Sequence, residues 1–175
     1  MTPLPYLQPL VVALLAASLC GCVISPLPVF ADKEGVADSK FTGKFKIEGL
    51  VGDERPTGFM ADAVPETFEV LQKGNQYLVV ENGKLKYLAT LHPLGETEAI
   101  VQLWRTGATS SDFLYILVRW NSRGLALREL DCDPSDPGTN ECRAKTKEDV
   151  VRFAESTESN FTKYPNRILL VRRQD

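Results

Sequence analysis

The apolar positions of this chain follow three spacings in succession. Residues 10–19 are almost continuously apolar, with Val11, Val12, Leu14, Leu15 and Leu19 separated by alanines and one serine. Residues 22–40 show no sustained period. They are interrupted at Ser25-Pro26, at Pro28 and again between Asp32 and Gly35, so they read as a flexible tether in which Leu27 to Phe30 could dock. From Phe41 the spacing becomes two: Phe41, Gly43, Phe45 and Ile47 alternate with polar residues, the pattern of a half-buried strand.

Further strands follow. Residues 51–64 lose the alternation around Gly52, Pro56 and Gly58 and read as a long loop; residues 67–72 resume it, and Lys73-Gly74-Asn75 supplies a tight turn. Asn82-Gly83 lies between two apolar runs, the strongest short-range hairpin signal, because a type I′ turn needs positive φ at both central residues. A two-residue loop sets Glu81 opposite Lys84, Val80 opposite Leu85, Val79 opposite Lys86 and Leu78 opposite Tyr87. Leu78, Val80, Leu85 and Tyr87 then form the expected core face, with Val79 among the charges on the other.

His92-Pro93-Leu94-Gly95 reads as a turn with an exposed histidine, residues 97–104 as a strand and residues 107–112 as a loop. Residues 113–120 are apolar on both faces as far as Arg119, which predicts a central strand covered on both sides. Residues 121–124 turn the chain back into a strand over 125–130. Thr146 and Asp149 have capping-box spacing, and a helix over 147–159 would bury Val150, Phe153, Ala154 and Thr157. Residues 167–172 form a last strand. The tally is roughly seven to nine strands with one late helix. The fold class is mainly β: a single antiparallel barrel or strongly curved meander, or else a sandwich.

The first apolar run is too short to span a bilayer, which takes roughly 20 residues, and Pro9 and Gly21 bound it. It matches the core of a secretory leader, although residues 1–9 contain no Lys or Arg. It ends in Leu19-Cys20-Gly21-Cys22, which resembles the lipobox of bacterial lipoproteins, small envelope lipoproteins among them. Cys20 fits worse, because Leu19 is bulky for the last position before a cut. The resemblance implies a signal peptide over residues 1–21, lipidation of Cys22, a tether over 22–40 and a periplasmic β-rich domain over 41–175. Val23 is not the Asp associated with inner-membrane retention, which implies the outer membrane.

About 150 residues remain after such a cleavage, enough for one domain burying roughly 70% of its unfolded-chain surface. With 20 basic and 23 acidic side chains, the net charge of −3 disfavours nucleic acid as a partner. In an exported chain Cys132 and Cys142 read as a disulfide, whose short loop contributes roughly 3 kcal/mol.

Gly43-Lys44-Phe45 on the first strand, followed by a meander, a helix and a closing strand, resembles the lipocalin superfamily, where Trp usually stands in place of Phe45. That resemblance implies a barrel that binds an apolar small molecule or lipid. Tyr87, Trp104 and Trp120 are the candidate cavity-facing residues; Phe113 and Tyr115 read as core. The alternative is an inhibitor or envelope-assembly accessory that uses the stapled loop 132–142 as its contact.

Little chemistry is on offer. His92 is the single histidine, so any histidine-based triad would have to use it, and a Cys/His zinc site is excluded by supply. Asp131, Asp133, Asp136 and Glu141 lack EF-hand spacing and read as a solvated loop. Lys163, Arg167, Arg172 and Arg173 read as a charged strand edge. No catalytic residue, metal ligand or cofactor is assigned, and the chain is expected not to be an enzyme.

Overall fold

The computed structural model describes residues 23–50, 67–107, 113–122, 124–130, 143–159 and 168–174. Period-two segments become strands: β1 (Ile24–Ser25), β2 (Gly43–Leu50), β3 (Thr67–Lys73), β4 (Gln76–Glu81), β5 (Lys84–Pro93), β6 (Glu98–Arg105), β7 (Phe113–Asn121), β8 (Gly124–Glu129) and β9 (Ile168–Gln174). Helix α1 (Lys147–Ser159) lies between β8 and β9. Each strand from β2 to β8 pairs antiparallel with the next, and β9 pairs with both β8 and β2. The sheet therefore closes into an antiparallel barrel of eight strands, which settles barrel against sandwich.

Alternation separates inside from outside. On β6, Ala99, Val101 and Leu103 point inward; on β7, Ile116 and Val118 do the same and join Phe45, Val70, Tyr77, Leu91, Leu169 and Val171 in the interior. Ile100, Tyr115 and Leu117 point outward. They are nevertheless buried, because α1 and the N-terminal segment cover them with Val150, Phe153, Ala154, Val23 and Phe30. The doubly apolar run of β7 thus has the two-sided cover that its composition requires.

The helix forms as its spacing indicates. The Asp149 amide donates to Thr146 Oγ1 (3.2 Å), and Asp149 Oδ2 accepts from the Thr146 amide (3.0 Å), closing the capping box. Val150, Phe153, Ala154 and Thr157 are all buried. Among the described residues no helix is long and apolar enough to cross a membrane.

Two expectations need correction. The expected tether over 22–40 is not free: residues 23–41 form a strap fastened to the outside of the barrel. Ile24 and Ser25 pair with Leu114 and Phe113, the Phe30 amide and carbonyl are both held by the Gln102 side chain at 3.1 Å, and the Val36 amide donates to the Leu91 carbonyl. The strap has no period because it is not a regular element. It carries isolated anchors, Val23, Phe30 and Phe41, that each meet a site on the barrel. Pro26 and Pro28, which lack an amide hydrogen, cost little in a segment that makes few ladder bonds.

The second correction concerns the hairpin. Asn82 and Gly83 take φ of 49° and 72°, as the turn requires, and Glu81 pairs with Lys84 and Val80 with Leu85. The register then shifts: Val79 pairs with Tyr87 and Leu78 with Leu88, so Lys86 is the extra residue of a β-bulge. A shift of one residue exchanges the faces of a strand. Tyr87 therefore faces inward as expected, but on β4 it is Tyr77 and Val79 that join it rather than Leu78 and Val80, and Leu85 is outward and 43% exposed.

Closure brings β8 very near β9. A Cβ on Gly124 would collide with the Val171 carbonyl oxygen, and its φ of +151° is one that L-residues rarely adopt. We expect Gly124→Ala to destabilise the barrel by about 2 kcal/mol or more in urea unfolding; an unchanged midpoint would show that this contact tolerates relaxation.

Candidate ligand cavity

The inward side chains do not fill the barrel. A cavity of about 180 Å³ remains, walled by Phe45, Phe68, Val79, Leu103, Val118 and Leu127, among other apolar residues. The β-branched and aromatic residues that favour strands also furnish this lining, since every second one must point inward.

One end is sealed by the strap. Phe41, from a 3₁₀ turn at Ser39–Phe41, borders the cavity and packs edge-on against Tyr77 (6.5 Å between centroids) and Trp120 (5.1 Å). The Lys40 ammonium lies over the Trp120 ring at 4.0 Å. Tyr77 Oη accepts from the Asp38 amide at 2.8 Å and donates to the Val36 carbonyl at 3.1 Å, which ties strap to barrel.

The other end, at the β4–β5 turn, is polar. Glu81 and Lys86 both line the cavity, with carboxylate and ammonium 3.7 Å apart. Tyr87 lines it beside them, and its direct partner across β6 is Arg105. Burial pushes the Tyr87 phenol above its ordinary value; Arg105 opposes that shift and Glu81 adds to it. The phenol is thus an O–H donor at neutral pH.

The three aromatic candidates fare differently. Tyr87 lines the cavity. Trp120 is on the inner face but belongs to the sealed floor against Phe41, outside the cavity lining. Trp104 is on the outer face of β6 and 39% exposed, because Leu103 takes the inward position. Glu81 and Lys86 escaped the sequence reading: Lys-Leu-Lys-Tyr alternates as though Lys86 faced solvent, and nothing local marks the bulge. Cys22, Cys132, Cys142 and the acidic loop lie outside the described residues, as do Lys163 and Arg167. Arg172 and Arg173 are exposed, and Arg172 pairs with Glu48 at 2.9 Å. Among the described residues no cluster of three potential metal ligands occurs.

His92 is not an exposed turn residue. Strand β5 runs on to Pro93, and His92 lies on its outer face under the strap, only 6% exposed. Its ring stacks on Phe30 at 4.2 Å between centroids, and Nε2 is 2.8 Å from Thr90 Oγ1. Gln102 and Tyr115 complete this buried polar layer: the Tyr115 hydroxyl donates to Gln102 Oε1 and accepts from the Val29 amide. Burial pulls the imidazole down to about 4, with Lys147 acting in the same direction and Glu34 and Asp32 opposing it.

No protein-family model, curated protein or solved structure matches this chain.

The His92 environment sets a pH dependence. The unfolded imidazole takes up a proton near pH 6.5, whereas the folded one does so only near 4, so the unfolded state binds more protons in that window. Stability is therefore expected to fall by about 2–3 kcal/mol from pH 7 to pH 4.5, read by urea midpoints followed through tryptophan fluorescence. The lowered carboxyls of Glu34, Asp38 and Asp149 add losses of the same sign at still lower pH. In His92→Gln the slope between pH 7 and 5 should flatten; a slope equal to the parent's would remove His92 as its source.

Proposed function

We propose that this chain is a lipid-anchored envelope protein whose barrel binds a small apolar ligand. The observation that carries the binding reading is the cavity of about 180 Å³ inside a closed barrel, apolar except at one end. An apolar cavity of ~150 Å³ takes up benzene, so this one suits a single ring or a short alkyl chain. The strap supports the reading too. It closes the floor with Phe41 and leaves the polar rim as the side on which a ligand's head would lie.

The anchor reading rests on the lipobox. Lipidation of Cys22 would place acyl chains one residue before the fully buried Val23, so the barrel would sit directly against the bilayer with no spacer. The absence of Asp at position 23 supports the outer membrane, with the domain facing the periplasm. Several acyl chains, at ~0.8 kcal/mol per buried CH₂, would hold it there stably.

Two measurements test these halves separately. Ala89 is buried and borders the cavity, so Ala89→Phe should fill it. Calorimetric binding of 1-octanol should disappear in that variant while its melting temperature stays within a few degrees of the parent. A strong fall in melting temperature would mean overpacking and no usable space. Intact mass of the membrane-extracted protein should fit cleavage before Cys22 plus acyl chains, and Cys22→Ala should lose them; an unmodified wild type would end the anchor reading.

A further inference from the structure

The cavity has one charged end, and its composition selects a ligand class. This step rests on the reading of the cavity as a ligand site. The β-bulge turns Lys86 toward the interior beside Tyr87. Bulges re-aim side chains, and here the consequence is a lysine that joins Glu81 at the one charged end of the chamber. Its neighbour Glu81 stands 3.7 Å away, an ionic contact beyond hydrogen-bond distance. Glu81 already has two cations near it, Lys86 at 3.7 Å and Lys84 as its direct partner across the turn. Tyr87 adds an O–H donor at the same level.

We propose that the cavity binds a medium-chain monocarboxylate, its alkyl tail among the apolar lining residues and its carboxylate at the rim between Lys86 and the Tyr87 hydroxyl. Several features exclude the reverse polarity. An ammonium head would compete with Lys84 and Lys86 for Glu81, and a neutral alcohol would add no counter-charge to Lys86. Volume sets the length: scaling from benzene in ~150 Å³, about 180 Å³ holds roughly seven carbons. Octanoate, whose alkyl tail has about seven carbons beyond the carboxylate carbon, is the matching probe.

The test compares octanoate, 1-octanol and octylammonium by titration calorimetry at pH 7.5 on the full chain. Octanoate should bind roughly tenfold more tightly than octanol, the size expected of one charge-assisted contact at a partly exposed site, and octylammonium weakest of the three. Lys86→Gln should bring octanoate down to the level of octanol without altering octanol itself. Glu81→Gln, which removes the competing carboxylate, should tighten octanoate several-fold, a change of opposite sign that a folding defect cannot imitate. Equal binding of octanoate and octanol, unmoved by either substitution, would overturn the carboxylate assignment and leave the apolar cavity standing. Preferred binding of octylammonium would overturn it in favour of Glu81. If none of the three binds, the cavity reading fails as well.

Discussion

Everything in this molecule depends on β9 reaching back to lie between β8 and β2. Before β9 pairs, β2 and β8 each present an open row of backbone donors and acceptors, and the interior has a seam. Joining them requires closing an excursion of about forty residues between β8 and β9. Such closure costs about 3 kcal/mol beyond a constant. The return comes from the two ladders that β9 makes and from Leu169 and Val171, which complete the inner wall. Gly124 is where the demand for close approach is greatest, since any side chain there would occupy the space of the Val171 carbonyl.

A closed barrel of this composition creates a second requirement. Its outer face carries Ile100, Tyr115 and Leu117, which cannot remain in water without loss of stability, and polar Thr90, His92 and Gln102 lie among them. The helix and the strap cover the apolar residues. The strap also satisfies the polar ones, because the Phe30 backbone offers one donor and one acceptor to the Gln102 amide. A buried side-chain amide with both ends engaged is tolerated where an unpaired one would cost 1–3 kcal/mol. The same arrangement holds His92 neutral beneath an aromatic ring, which couples the fit of the strap to acidity.

The chamber is the result of two local devices acting at opposite ends. At one, the strap's short 3₁₀ turn drives Phe41 into the floor and leaves Trp120 outside the open volume. At the other, the bulge in β5 carries Lys86 to the rim opposite Glu81. Apolar walls with a single charged end are the ingredients of a site for an amphiphile, in which the tail provides affinity and the head orientation.

Features determined by neighbours in the chain were legible in the sequence by itself. The Asn82-Gly83 turn, the capped helix at 147–159, the double-sided apolar character of β7 and the order of strands, helix and last strand all follow from dihedral preferences and periodicity within short windows. What only the tertiary structure decided were features set by residues far apart in sequence. One extra residue in β5 split the expected core face of a hairpin, keeping Tyr87 inside but not Leu78, Val80 or Leu85, because the register beyond the turn is fixed by pairing with β6 as well as β4. His92 and the strap found each other across some sixty residues, and Trp104 was left outside because Leu103 faced the interior. No local pattern encodes these outcomes, since burial of an isolated anchor depends on which surface the folded barrel presents to it.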